Sequence, residues 1–321
     1  MCSAILGNWY NGFPLELLKK TTAERLAYFK AYTVAHPKLK GVYEALMRTI
    51  KEPAGASFIF VYGPSGVGKT TVRLKVEQNL MQEALSDRRR MPLVGIEAVA
   101  PDSRNFSWKN YYMSALVALE EPLLDDKFDY GVRGIYRDSL GKMVIESKVD
   151  SPASRRALEN ALVHRKPDVF FIDEAQHMAK MASAQKLQDQ VDTLRSLANR
   201  TGILHGLFGI GTDELLNLSK QLTPYSFDIP FLPYSADIPE DVQAFKNVLW
   251  TFQHQMPLAE SPDLLAHWEY CYEGTLGCVG TLKGWLTRAL RDALEEGATT
   301  VTKKHLERTA PLVIWYRRML R

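Results

Sequence analysis

The sequence predicts an α/β fold in which a parallel sheet is flanked by helices and followed by an all-helical domain. Short apolar segments alternate with helical segments from residue 57 to about residue 231, and such alternation is typical of parallel strands joined by covering helices. The first apolar segment runs directly into a glycine-rich turn. After about residue 236 only helical periodicity remains, which predicts the separate helical domain.

Local signals place the elements in order along the chain. Thr21 and Glu24 have the spacing of a capping box, so the first helix is expected to begin there. Pro230 cannot donate a ladder hydrogen bond, so the last strand is expected at an edge. Strands are predicted at Ser57–Tyr62, Pro92–Glu97, Asp168–Asp173, Gly206–Gly211 and Phe227–Phe231. Helices are predicted at Lys38–Ile50, Val67–Leu85, Trp108–Leu119, Ser154–Val163, Ala184–Asn199, Glu240–Gln253, Pro262–Cys271, Gly280–Glu295 and Thr302–Leu320.

Composition excludes several classes of protein. The 321 residues are 46% hydrophobic and 24% charged, which argues against disorder, collagen or a coiled coil as the main content. There is no run of 18 apolar residues and no secretory leader at the start, so we expect a cytoplasmic protein without a membrane partner. The three cysteines match no zinc or redox spacing and are expected to be small buried side chains.

The charge is unevenly distributed. Residues 1–50 contain seven Lys and Arg against three Asp and Glu, and residues 301–321 contain six against one. The overall formal charge is +3, so the residues between these ends carry a net −6. Basic ends fit contact with nucleic acid, and solvated helix faces are the alternative.

The segment from Gly63 to Thr71 fits the phosphate-binding pattern G-x-x-x-x-G-K-[ST] between an apolar strand and a helix. Its glycines allow backbone N–H groups to surround phosphate oxygens, and Lys69 is expected to meet the β- and γ-phosphates of ATP. Thr70 is expected to supply a hydroxyl to Mg²⁺. The predicted nucleotide-binding residues are Gly63, Pro64, Ser65, Gly66, Val67, Gly68, Lys69, Thr70 and Thr71.

Two adjacent carboxylates follow a later apolar strand. Asp173 and Glu174 come directly after Val169–Ile172, about a hundred residues beyond the phosphate loop. We expect Asp173 to hold Mg²⁺ and Glu174 to orient and polarise the attacking water. Adjacent carboxylates indicate an ATPase that inserts one strand between the two motifs.

Two further polar residues are candidates for the same site. Thr212, at the end of the strand after the carboxylates, is expected to sense the γ-phosphate, and a helix N-cap is an alternative role compatible with it. Lys283 opens a helix in the all-helical part and is a candidate nucleotide contact. The alternative for Lys283 is a solvated lysine. The predicted catalytic set is Glu174, Lys69 and Thr212.

Together these motifs resemble those of an AAA+ ATPase and, more narrowly, the TnsC/TniB family of transposition regulators. The resemblance spans roughly residues 22 to 296. It rests on His36-Pro37, Gly63–Thr71, Asp173–His177, Gly211-Thr212 and Gly277–Trp285.

The resemblance implies an ATP- and Mg²⁺-dependent homo-oligomer, a ring or a helical filament, on double-stranded DNA. Such an assembly would link a target-selection protein of the TniQ/TnsD kind to transposase subunits. The domains expected along the chain are a helical extension (1–50), the ATPase domain (51–235), a helical lid (236–300) and a basic C-terminal helix or tail (301–321). A scaffold or signalling ATPase that acts without DNA and a helicase-loader-like ATPase are the alternatives.

One departure concerns the arginine that such ATPases receive from a neighbouring subunit. The stretch after the sensor strand, 218–228, contains Lys220 and no arginine, and none occurs between Arg200 and Arg288. Either Lys220 substitutes, an arginine elsewhere acts in trans, or hydrolysis is slow. The arginines considered for the trans role are Arg155, Arg156 and Arg195.

No base-reading motif is present in the sequence, so contact with the DNA backbone is the expectation. Candidate phosphate contacts are Arg104, Lys109, Arg133 and Lys142, each with simple solvation as the alternative.

Overall fold

The structure is a computed structural model that describes residues 12–86, 91–100, 106–120, 135–137, 143–145, 151–179, 184–222 and 225–311. Its strands are β1 (Phe58–Tyr62), β2 (Leu93–Glu97), β3 (Ile135–Arg137), β4 (Met143–Ile145), β5 (Val169–Asp173), β6 (Leu204–Gly209) and β7 (Ser226–Pro230). Its helices are α1 (Thr22–Ala31), α2 (Pro37–Lys51), α3 (Lys69–Glu83), α4 (Trp108–Ala118), α5 (Ser151–Arg165), α6 (Gln176–Ala179), α7 (Ala184–Thr201), α8 (Asp213–Leu222), α9 (Pro239–Gln255), α10 (Trp268–Thr275), α11 (Val279–Glu295) and α12 (Lys303–Arg308). Short 3₁₀ turns lie at Leu15–Lys19, Ala84–Ser86 and Leu265–His267.

The chain divides into two compact units. The α/β unit comprises Gly41–Gly63 and Lys69–Phe231, and the helical unit comprises the described residues of Met1–Lys40, Pro64–Gly68 and Leu232–Arg321. Most of the glycine-rich turn is therefore grouped with the helical unit. The domain boundaries expected at residues 50, 235 and 300 stay predictions.

The α/β unit contains a parallel five-stranded sheet in the order β2-β5-β6-β1-β7. This confirms the predicted parallel sheet and places β7 at an edge, as Pro230 indicates. It also places β6 between β1, the strand before the phosphate loop, and β5, the strand that ends at Asp173. The strands β3 and β4 form a separate antiparallel pair.

The sheet is held by an apolar core. Phe58 to Val61 of β1 and Val169 to Ile172 of β5 are buried, which explains why these strands have apolar residues facing both sides. Helices α4, α5 and α7 add to the same core. Their buried residues include Met113, Leu116, Leu158, Leu162, Val191 and Leu194.

The helical unit has its own core around Trp285, whose indole N–H donates a hydrogen bond of 3.0 Å to the carbonyl of Leu306. The predicted capping box at Thr21 and Glu24 is present at the start of α1. Cys271 and Cys278 are free and buried, as the sequence indicates. Within the described parts of the chain, no helix has the length and apolar character needed to cross a membrane.

Several boundaries differ from the prediction. β6 ends at Gly209, two residues early, because the N–H of Ile210 donates to the side chain of Gln176 instead of continuing the ladder. α3 begins at Lys69, after the loop glycine Gly68, which has φ +118°. α10 begins only at Trp268, after a 3₁₀ turn. The predicted C-terminal helix is present as α12, and its continuation beyond residue 311 lies outside the described residues.

Candidate nucleotide-binding site

The phosphate loop follows β1 and leads into α3. Gly66 and Gly68 have φ values of +77° and +118°, which L side chains rarely adopt. Lys69 is the first residue of α3, and its Nζ donates a 2.9 Å hydrogen bond to the carbonyl of Gly63. The loop thus combines turn glycines, a lysine and a helix N-terminus, the features that bind phosphate.

The loop side chains differ in exposure. Val67 is buried, whereas Ser65 and Thr70 are exposed. Pro64, Lys69 and Thr71 are half-buried. An exposed hydroxyl in the first turn of α3 fits the predicted role of Thr70 toward a metal ion, since Mg²⁺ prefers hard oxygen ligands.

Asp173 lies at the carboxyl end of β5, and the residue is only 7% exposed. Its Oδ1 accepts a hydrogen bond of 2.9 Å from the N–H of Glu174, and its Oδ2 accepts one of 3.1 Å from Nε of Arg73 on α3. Arg73 also pairs with Glu77 one turn later. The second oxygen ligand predicted for Mg²⁺ is therefore buried and held in a fixed direction, which fits a metal ligand.

Glu174 is half-buried and has an unusual backbone. Its φ is +53°, in the left-handed region. One carboxylate oxygen accepts a hydrogen bond from the side-chain amide of Gln176. The predicted base is thus fixed at both its backbone and its side chain.

Thr212 follows β6, the strand between β1 and β5. Its hydroxyl oxygen accepts a hydrogen bond of 3.4 Å from the N–H of Leu215, in the first turn of α8. This is the capping role considered as the alternative for Thr212. Its role as a γ-phosphate sensor stays a prediction.

Lys283 lies within the helical unit. Its amine donates a hydrogen bond to the carbonyl of Phe29 and is 3.5 Å from the centre of the Phe29 ring and 5.1 Å from that of Phe252. Burial lowers the pKa of this amine to about 7. Lys283 is therefore not a solvated lysine, and its contact with nucleotide stays a prediction.

The sequence did not single out two residues that contact the carboxylates. Arg73 binds Asp173, and Gln176 binds Glu174. The signal that was available for Gln176 is its place in the Asp-Glu-Ala-Gln-His run, two residues after Glu174. The i, i+4 spacing of Arg73 and Glu77 on the helix after the phosphate loop is the corresponding pattern for Arg73.

The candidate DNA contacts Arg104, Arg133 and Lys142 lie outside the described residues. Lys109 is half-buried in α4, so its contact with DNA stays a prediction.

All the candidates for the trans-acting cation lie in the part of the chain that the structure describes. Arg155 binds Glu159 at 2.9 Å and the hydroxyl of Ser196 at 2.7 Å. Arg195 donates to the carbonyl of Gln221. Arg156 and Lys220 are exposed, which is the condition for reaching a neighbouring subunit.

Comparison with solved structures finds proteins of the same fold. The Aeropyrum pernix ORC1 protein in complex with DNA aligns with a TM-score of 0.57 and 15% identity, over 90% of this chain and 68% of that chain. The ORC2 protein of the same organism, in ADPNP-ADP complexes, gives 0.55 and 15%, over 88% and 70%. Drosophila ORC bound to DNA gives 0.52 and 15%, over 92% and 64%.

Sequence comparisons define the family. No curated protein matches the chain in sequence. Residues 48–218, more than half of the chain, match the family model described as AAA domain. This span contains the phosphate loop, both carboxylates and the strand that separates them. The chain therefore belongs to the AAA-domain family of P-loop proteins, and its fold is that of an AAA+ ATPase with a C-terminal helical region.

Proposed function

We propose that the protein is an ATPase whose ATP-bound form assembles on duplex DNA as a ring or helical filament and links a target-selection protein to a transposase. The observation that supports ATP hydrolysis most directly is the order of the strands. β1, β6 and β5 are parallel neighbours, so the phosphate loop, Thr212 and the carboxylates follow strand ends at the same edge of the sheet.

Each of these residues has a role that matches its chemistry. The backbone of Gly63–Thr71 and the amine of Lys69 bind the phosphates, and Thr70 and Asp173 hold the metal ion. Bound Mg²⁺ would neutralise charge that develops on the phosphates. Glu174 orients and polarises the attacking water, and Thr212 contacts the γ-phosphate from the strand between.

Contact with DNA is supported by two independent features. Proteins that share the fold, ORC1 of Aeropyrum pernix and Drosophila ORC, are described in DNA complexes. Residues 1–50 and 301–321 also carry net charges of +4 and +5, the sign that binds phosphate backbones. The role in transposition rests on the resemblance of the motifs to the TnsC/TniB family.

A second candidate is a helicase-loader-like ATPase of replication. The similarity of the fold to origin-recognition proteins favours it. The two candidates share ATP and DNA and differ in the protein partner. A third candidate is an ATP-switched scaffold that acts on proteins without DNA. The first experiment below distinguishes it from the two DNA-dependent candidates.

Electron microscopy and binding to labelled duplex DNA test the assembly step. Wild-type protein with a non-hydrolysable ATP analogue, and Glu174→Gln with ATP, should form rings or filaments on DNA, whereas ADP or Lys69→Ala should not. Binding should weaken steeply with salt because phosphate contacts release counterions. Particles that ignore DNA with every nucleotide would exclude both DNA-dependent candidates and favour the scaffold.

The partner distinguishes the two DNA-dependent candidates. The ATP-bound Glu174→Gln assembly on DNA should retain a purified transposase in co-sedimentation, and a replicative helicase should not co-sediment. Retention of the helicase alone would replace the transposition proposal with the loader. Glu174→Gln protein with ADP in place of ATP is the control, because retention of the transposase with either nucleotide would show that the ATP state is irrelevant to partner choice.

A further inference from the structure

Gln176 connects two strands of the site through one side chain. It is the first residue of α6, two residues after Glu174, and is only 4% exposed. Its Nε2 donates to Glu174, and its Oε1 accepts a 3.1 Å hydrogen bond from the N–H of Ile210 at the end of β6. Both ends of a buried amide are therefore used, one on the predicted base and one on the neighbouring strand.

The space for this bridge depends on Gly209. A Cβ at this position would lie 2.7 Å from Oε1 of Gln176, closer than side chains approach in packed interiors, and 3.3 Å from its backbone nitrogen, which is a tight contact. The N–H of Ala175 donates a hydrogen bond of 2.8 Å to the carbonyl of Phe208, on the same strand. The segment after β5 is thus attached to the end of β6 by both backbone and side chain.

Glu174 needs such support because its backbone is strained. A non-glycine residue at φ +53° persists in that conformation when its surroundings fix it. Its N–H is held by Asp173, and its carboxylate is held by the amide of Gln176. The direction of the carboxylate is therefore set by a contact whose other end reaches β6.

We propose that Gln176 is a positioning residue for ATP hydrolysis, which holds the carboxylate of Glu174 in its working direction and ties that direction to the end of β6. Ile210 lies two residues before Thr212, so the same strand end carries the predicted γ-phosphate contact. A displacement of this strand end would move the N–H of Ile210, which donates to Gln176, and would move the base with it. This inference rests on the proposed ATPase activity.

The chemistry requires an amide. A glutamine side chain offers a donor at one end and an acceptor at the other, whereas a carboxylate only accepts. Gln176→Glu keeps the size of the side chain and the acceptor for Ile210 and removes the donor to Glu174. Gln176→Met removes both polar ends at similar length and adds no charge.

Steady-state ATP hydrolysis, with binding of a fluorescent ATP analogue measured in parallel, tests the inference. We expect Gln176→Glu and Gln176→Met to lower kcat at least tenfold, with KM for ATP and analogue affinity within about threefold of wild type. A merely structural role would instead lower affinity, or the folded fraction by circular dichroism, together with kcat. If Gln176→Glu does not fold, the same split in Gln176→Met decides the matter.

The matched control is Gln188→Glu. The amide of Gln188 also donates to a carboxylate, that of Asp192, at 3.0 Å on α7, so the substitution makes the same chemical change away from the site. It should leave kcat unchanged. A kcat of Gln176→Glu and Gln176→Met equal to wild type, with Glu174→Gln inactive, would overturn the role of Gln176 and leave the ATPase standing. Absence of hydrolysis in the wild-type protein would remove the proposed activity and this role with it.

Discussion

The N–H of Thr281 donates a hydrogen bond of 3.1 Å to the carbonyl of Gly66, so the first turn of α11 contacts the phosphate loop within the helical unit. A Cβ on Gly66 would collide with Oγ1 of Thr281 and lie 3.2 Å from its nitrogen. On the other side of the contact, a Cβ on Gly280 would lie 2.6 Å from the carbonyl oxygen of Gly66. Both glycines are therefore required for this close approach.

Gly66→Ala should destabilise the protein and weaken nucleotide binding. Gly55→Ala is the matched control, because Gly55 also has a left-handed φ of +84° but has open space around its Cα. Strain alone should cost each variant about 1 kcal/mol, and Gly66→Ala should lose roughly a further 1–3 kcal/mol from the collision. Urea unfolding of each variant measures its total loss of stability.

The collision also predicts a coupling. In a Thr281→Ala background, the loss of stability caused by Gly66→Ala should approach the loss caused by Gly55→Ala. The reason is that Thr281→Ala removes Oγ1, the atom with which the new Cβ would collide. Equal losses for Gly66→Ala and Gly55→Ala in the wild-type background would contradict the contact.

Arg73→Met should destabilise the α/β unit. Arg73 lies 3.1 Å from Asp173 and also pairs with Glu77, and the three side chains are between 11% and 19% exposed. Burial raises the pKa of Glu77, and the charge of Arg73 opposes that shift. Removal of the arginine leaves two partly buried carboxylates without their cation, so we expect a loss of about 2–3 kcal/mol in the free energy of unfolding.

Arg291→Met is the matched control for that experiment. Arg291 and Glu295 have the same i, i+4 spacing, at 3.9 Å, but their side chains are 55% and 65% exposed. Exposed pairs of this kind contribute about 0.5 kcal/mol or less. Similar losses in Arg73→Met and Arg291→Met would mean that the buried triad adds no stability of its own.

The motifs of the site were predictable because each is short and next to an apolar strand. The phosphate loop, Asp173 and Glu174 are contiguous with β1 and β5, so local pattern suffices to place them. Gln176 and Ile210, which hydrogen bond to each other, are 34 residues apart in the sequence. Arg73 and Asp173 are 100 residues apart. One sequence contains no signal for such pairs, because neither partner constrains the local pattern of the other.

Lys283 illustrates why the direction of a long side chain does not follow from the sequence. Helical spacing predicts that it lies on α11, but a long lysine side chain can extend to solvent or fold its apolar stem over neighbours. The direction is decided by Phe29 of α1 and Phe252 of α9, which are far away in sequence. The early end of β6 has the same origin, since the partner of Ile210 is a side chain from another element.

Lys283→Met should stabilise the protein at neutral pH. The pKa of the amine is lowered from 10.5 to about 7 in the folded chain, so its stabilising contribution is present above pH 10.5 and is lost as the pH falls toward 7. Between pH 10.5 and 7 the unfolded chain binds a proton that the folded chain does not, so stability falls as the pH falls. A gain of a few kcal/mol is expected at pH 7, on the order of 1.4 kcal/mol per pKa unit less the attraction of the charged amine to the rings.

Lys246→Met is the control, since the amine of Lys246 lies 4.2 Å from the ring centre of Trp268 in the same unit. Denaturant unfolding at pH 7 and pH 10 should show the gain of Lys283→Met shrinking at high pH, whereas Lys246→Met should show little change. The nucleotide affinity of Lys283→Met tests the predicted contact between Lys283 and the nucleotide. An affinity equal to that of the wild type would contradict this contact.

His205 should make the α/β unit sensitive to acid. It is fully buried in β6 between the rings of Phe58 and Phe170, and its Nδ1 lies 2.8 Å from the carbonyl of Ile203. Its Nε2 has no hydrogen-bond partner among the described residues. Burial lowers the pKa of the ring from 6.5 to about 4, because a charged imidazolium would be left without water.

The sign of the effect follows from proton linkage. Above pH 6.5 the ring is neutral in both the folded and the unfolded chain, so its titration does not affect stability. Between pH 6.5 and 4 only the unfolded chain binds the proton. The free energy of unfolding therefore decreases by about 3 kcal/mol as the pH is lowered through this range. His205→Leu keeps an apolar group of similar size and should flatten this part of the profile in urea unfolding from pH 8 to 4. Substitution of the exposed His164 by Leu should leave it unchanged. A stability difference between wild type and His205→Leu that stayed constant across this range would show that the buried imidazole does not carry the acid sensitivity.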